Sequence, residues 1–201
     1  MTPKLDLYKI HKSDYVNPKK PVLIKIKPAQ YLAVDGQGAP GGDRFTACIG
    51  ALYGVAFTVK MTRKFAGKQD YAVCKLEGQW FFAGDPAAIP KAQWRWKLLI
   101  RTPDFIQAKD LQAAVATLLK RGKSREVEEV KLERIDEGQC VQMLHVGPYE
   151  REHESLALMH NLALAHGLKL SGPHHEIYLS DPRRVPPERL KTILRQPARP
   201  D

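Results

Sequence analysis

Cysteine is scarce in this chain of 201 residues: only Cys48, Cys74 and Cys140, far apart and in no Cys-x-x-Cys pair. That excludes a zinc knuckle or a thioredoxin-like dithiol, and the apolar flanks suit reduced, buried, inert thiols. Long apolar runs are missing too. The longest nearly uncharged stretch, Phe45 to Val59, holds two threonines and two glycines and is too short and mixed to span a bilayer. The first residues, MTPKLDLYKIHKSDY, lack the apolar block of a secretory signal, so a cytoplasmic protein with no membrane partner is expected. His-Glu-x-x-His, Gly-x-Ser-x-Gly and the Walker loop are absent. Gly36-Gln37-Gly38-Ala39-Pro40-Gly41 only superficially resembles a dinucleotide fingerprint, because Pro40 precedes the third glycine and no parallel βαβ pattern surrounds it.

What is present is an ordinary globular composition, 43% apolar and 27% charged, with a formal net charge of +10. The excess sits at the ends: residues 1–30 contribute +5, residues 182–201 contribute +4, and the rest only +1. A nucleic-acid surface would be a basic stripe on the folded body, so nucleic acid as the main partner is weakly supported. It remains a third reading, through the basic tails. Residues 1–20 are polar and end in Asn17-Pro18-Lys19-Lys20-Pro21, which suits an N-terminal extension to a domain over 21–201.

The periodicities predict strands at Val22–Lys27, Tyr31–Val34, Tyr71–Phe82, Trp94–Arg101, Val127–Ile135, Cys140–Val146 and His174–Ser180. They predict helices from Asp43 through Val59, from Thr102 to Lys120 and from Glu150 to His166, with a short final helix at Pro186-Pro187-Glu188 carrying Leu190, Ile193 and Leu194 on one side. The order strand–turn–helix–strand occurs twice, and Tyr31–Gly36 before the first long helix echoes Gln142–Gly147 before the second. An α+β fold of tandem βαββ repeats follows: an antiparallel sheet with pseudo-twofold symmetry, two long helices on one face and a ligand groove between them.

No metal or cofactor is expected. His153 and His160 share a helix face but lie ~10 Å apart by helical rise, and His174 and His175 point to opposite faces of a strand. More informative are Trp80, Phe82, Trp94 and Trp96, at period-2 spacing on two consecutive strands. Aromatics on one strand face are usually core, but all three tryptophans fall in a short segment and their indole N–H groups favour a groove edge. Glu176, Tyr178 and Ser180 share one strand face. If that face is covered by a helix, burial disfavours the charged form of Glu176, which could then act as a general base or as counterion to a cationic ligand. If it faces solvent, Glu176 merely pairs with Arg183 or Arg184. Spacing leaves the two readings even.

These residues carry a resemblance. His174-His175-Glu176-Ile177-Tyr178-Leu179-Ser180-Asp181-Pro182-Arg183-Arg184, followed by Pro187–Thr192, resembles the C-terminal signature of GyrI-like small-molecule-binding proteins, in their stand-alone subfamily. Leu76–Trp80, Trp94–Arg101 and His145-Val146-Gly147-Pro148-Tyr149 agree, in the right order. The resemblance implies a groove for flat, aromatic, often cationic xenobiotics with Glu176 at its centre. The subfamily includes cyclopropanoid cyclopropyl hydrolases, which open the strained ring of DNA-alkylating antibiotics in an aromatic cage. It therefore implies Glu176 and Tyr178 as catalytic residues, and Trp80, Trp94, Trp96 and Tyr149 as ligand contacts. Phe81-Phe82 stands where another tryptophan would be expected. The alternative is binding without chemistry, as a sequestering or gyrase-inhibitor-like regulatory protein.

Overall fold

The computed structural model describes residues 3–82, 84 and 86–200. The chain divides into two compact units, Met1–Ile10 with Ala29–Leu76 and Phe82–Ile135, and His11–Pro28 with Glu77–Phe81 and Asp136–Asp201. Every strand pairing within them is antiparallel. The fold is α+β, and the strand–helix–strand–strand order runs twice along the chain.

In the first unit β2 (Ala29–Gln37) pairs with both β4 (Arg95–Arg101) and β5 (Lys131–Ile135). Helix α2 (Asp43–Phe65) packs on β2 and β4, and α3 (Ala108–Lys120) packs on α2. The apolar positions of α2 recur at helical spacing, and Phe45, Cys48, Leu52, Val55, Ala56 and Val59 are buried. By length and composition alone these 23 residues could cross a membrane, further than the shorter sequence window suggested, but their buried stripe is that of a core helix. Trp96, 1% exposed, stands edge-on to Phe45 with 5.1 Å between ring centroids and lies over Gly36. A Cβ at Gly36 would come within 2.1 Å of that indole, so the glycine makes room for the tryptophan. Leu5 bridges to Tyr71, beginning the short helix α1 (Leu7–Ile10) of the Lys-rich N-terminal segment; Met1 and Thr2 lie outside the described residues.

In the second unit the pairing order is β1 (Val22–Ile26), β6 (Gly138–Val146), β9 (Lys191–Pro200), β8 (His174–Tyr178) and β3 (Leu76–Phe81, from Glu77 on), with β7 (Leu168–Leu170) also on β9. Helix α4 (Glu152–Ala165) covers one sheet face, where Val141, Met143, Met159, Ala163, Leu168 and Leu194 form the core. The other face is crossed by residues 11–18, where Asp14 and Tyr15 are buried and the Leu144 N–H donates to the Pro18 carbonyl.

Several boundaries differ from expectation. The final helix is a single 3-10 turn, Pro187–Arg189, and Leu190, Ile193 and Leu194 lead into strand β9 instead. A strand between two neighbours buries residues of both faces, here Thr192, Ile193, Leu194 and Arg195, and such a run mimics a helical stripe. Helix α3 starts at Ala108, after Pro103, and is opened by an N-terminal capping box between Gln107 and Asp110. Only Leu76–Phe81 of the expected strand Tyr71–Phe82 is paired as a strand, and β7 had no counterpart in the sequence reading.

Candidate functional site

Register sets the site. Glu176 of β8 lies opposite Gly78 of β3, and His174 opposite Trp80. Residues two apart share a face, so Gly78, Trp80, His174, Glu176 and Tyr178 line one side of this ribbon. On the next strand Leu194 is opposite Glu176, and Leu194 belongs to the core under α4. The helix-covered alternative is therefore the one realised, and Arg183 pairs with Asp181.

From α4 the first residue, Glu152, reaches the same place. His174 Nε2 is 3.4 Å from Glu176 Oε1 and 3.8 Å from Glu152 Oε2, and all three residues are buried or nearly so. Burial and then the Glu176 charge push the Glu152 carboxyl up to about 8. Burial alone would lower His174, but the two carboxylates outweigh it and raise the imidazole to about 9. Tyr178 is pushed well above its ordinary value by burial and by Glu176, to which it hydrogen-bonds. Tyr149, 36% exposed in the turn before α4, stacks edge-on with Tyr178 at 6.1 Å and is itself pushed up to about 12, by burial and then by Glu176. The site thus holds acid and base partners next to a half-open aromatic edge.

Gly78 is required by packing. A Cβ there would sit 2.9 Å from the Tyr178 hydroxyl, so the missing side chain lets that group close over the strand, while Trp80 Nε1 at 3.5 Å would stay in ordinary contact.

Of the residues expected at the site, the structure gathers Glu176, Tyr178, Trp80 and Tyr149 in the second unit. Trp94 and Trp96 belong to the first. There the Trp94 indole N–H donates to the Ile89 carbonyl at 2.9 Å, with its ring 5.0 Å from Phe82, and that of Trp96 donates to the Gly38 carbonyl at 3.2 Å. Sequence reasoning missed Glu152 and the role of His174. Glu152 lies on the same helical stripe as Ser155, Met159 and Ala163, but that spacing alone does not show that the stripe meets β8.

On the opposite face of β8 a second buried cluster ties the ribbon down. His175 Nδ1 is 2.8 Å from Glu137 and its Nε2 3.0 Å from Glu77, while the Arg195 guanidinium donates to Glu137 and Gln142, each at 2.7 Å, and to the Asp14 carbonyl. Tyr15 donates to Glu77. His175 and Arg195 hold Glu137 down at about 2 against the opposing effect of burial, and the paired carboxylates raise His175 to about 9.

A sheet–helix unit with an acidic, aromatic face is the arrangement of a small-molecule-binding domain. The chain belongs to the GyrI-like family: the GyrI-like small-molecule-binding domain matches residues 104–198. It is similar to an uncharacterized conserved protein from Listeria innocua, with 38% identity over 98% of this chain and 100% of that one and a TM-score of 0.91. A hydrolase from Listeria innocua is 36% identical over the same shares, also with a TM-score of 0.91. The C-terminal domain of EcmrR, 11% identical over 90% of this chain and 98% of that one, shares the fold with a TM-score of 0.58. No curated protein matches the chain significantly.

Proposed function

We propose that the protein binds planar aromatic, often cationic xenobiotics against the Glu176 face and opens the cyclopropane ring of cyclopropanoid DNA-alkylating agents, a detoxifying hydrolysis in the cytoplasm. The observation that carries this reading is a carboxylate, Glu176, buried on an aromatic face beside a second carboxyl group, an imidazole and a phenol. Family membership and the likeness to a Listeria hydrolase support it. Three free, buried thiols accord with a reducing compartment.

In this reaction Trp80 and Tyr149 hold the flat ring system and keep out bulk water. Trp94 and Trp96 enter the proposal as ring contacts on the family resemblance alone. Glu176 takes a proton from a water whose oxygen bonds to the unsubstituted ring carbon. The strained C–C bond breaks, and its electron pair passes through the conjugated dienone to the carbonyl oxygen. Tyr178 donates its proton there, giving a phenol, and recovers one from Glu176 through their mutual hydrogen bond. Glu176 binds and gives up one proton per cycle, so nothing accumulates. Ring strain supplies much of the driving force, and a general base contributing about 10²–10⁴-fold is sufficient.

The test is mass-spectrometric product analysis of a cyclopropanoid alkylator incubated with wild type and with Glu176→Gln. The expected result is a water adduct from wild type and a loss of at least ~10²-fold in the variant. Turnover by the variant at the wild-type rate would overturn the mechanism. Unchanged compound from both, with thermal stabilisation of the protein, would leave a binding protein without chemistry.

A further inference from the structure

Glu152, His174 and Glu176 each offer one ligand atom, and the three atoms lie within 4.8 Å of one another. Zinc-type bonds of about 2.0–2.1 Å to nitrogen and oxygen place neighbouring ligands of a tetrahedron roughly 3.4 Å apart. The His174–Glu176 separation of 3.4 Å meets that as it stands, and the 3.8 Å from His174 to Glu152 needs only a small side-chain rotation.

A second observation points to a ligand. The His174 side chain is 10% exposed, its Nε2 meets only the two carboxylates and its Nδ1 has no hydrogen-bond partner; Glu152 Oε1 is buried and without one as well. Buried polar atoms left in this state are rare and call for an occupant. From these we infer that Glu152, His174 and Glu176 form a site for one divalent transition-metal ion of the zinc class. One imidazole and two carboxylates suit zinc better than magnesium or calcium, which take oxygen ligands. Three protein ligands leave a position for water or a ligand oxygen, the pattern of catalytic rather than structural zinc sites. The inference concerns the residues of the proposed function but stands without it.

The full-length chain, stripped with chelator, is titrated with zinc sulfate by calorimetry at pH 7.5, and bound metal is counted after gel filtration. One ion per chain is expected, bound at least tenfold more weakly in Glu152→Gln and in His174→Gln. Glu152→Asp, which keeps the carboxylate, retains part of the affinity and guards against variants that fail to fold. Absence of stoichiometric zinc in wild type, or binding undiminished in both Gln variants, overturns the site. Product analysis with the metal-free protein separates the two readings, because ring opening without zinc leaves the proposed hydrolysis standing whatever the titration shows.

Discussion

Gly78 decides how closely Tyr178 approaches the β3 backbone. A Cβ would stand 2.9 Å from the phenol hydroxyl, and the ring that carries it is rigid, so it cannot swing aside as a lysine would. Gly78→Ala is expected to destabilise the protein by about 1–3 kcal/mol through overpacking. Tyr178→Phe added to that variant removes the clashing oxygen and should restore most of the loss, as read from denaturant melts of the single and double variants. A Gly78→Ala protein as stable as wild type, or one that Tyr178→Phe does not rescue, would show that the close approach is not tight. At this scale the sequence is partly legible. Glu176 and Tyr178 are identified by their shared strand face and by the family signature, but Glu152 is not, since a glutamate at a helix start reads as an ordinary solvated first-turn acid. Only the sheet register, which brings α4 over β8, turns it inward.

At the scale of elements, β8 presents different chemistry to its two sides. Its His174, Glu176 and Tyr178 face α4, while His175 meets Glu77 and Glu137, which Tyr15 and Arg195 join in turn. A fully buried ionic cluster on one face fixes the register on which the other face depends. Removing one partner leaves an uncompensated charge, so Arg195→Met is expected to cost about 3–5 kcal/mol. The same groups set the pH dependence. Glu137 is held below its ordinary 4.5, so its contribution is full above that value and is lost as pH falls toward 2. His175 is held above its ordinary 6.5, so its contribution is full below that value and is lost as pH rises through about 9. Glu152 and His174, both raised, bind protons more tightly in the folded state and also weaken stability as pH rises toward 8 and 9. The urea midpoint should therefore rise from pH 2 to about 4.5, then fall, most steeply between 6.5 and 9, with the alkaline fall shallower in His175→Gln. A midpoint that increases from pH 6.5 to 9 would contradict these assignments. Sequence reading placed β8 correctly and put His174 and His175 on opposite faces, yet it could not see the cluster. Glu77, Glu137 and Arg195 are 60 or so residues apart or more and meet only through antiparallel pairing.

For the whole molecule, the repeated strand–helix–strand–strand order was legible because hydrophobic periods and turn clusters recur at matching places, as at Val34 to Gly36 and His145 to Gly147. The end of the chain was not, since Leu190, Ile193 and Leu194 fit a helix as well as a strand buried on both faces. The central claim is that the acidic face of the second unit is where a flat cationic ligand binds. Calorimetric titration with a planar aromatic cation and its neutral isostere, on wild type and Glu176→Gln, tests this most directly. The account predicts that wild type prefers the cation by at least about tenfold, or ~1.4 kcal/mol, and that the variant loses the preference while still binding the neutral compound. Equal affinity of wild type for both compounds, or a preference that survives in Glu176→Gln, would contradict it.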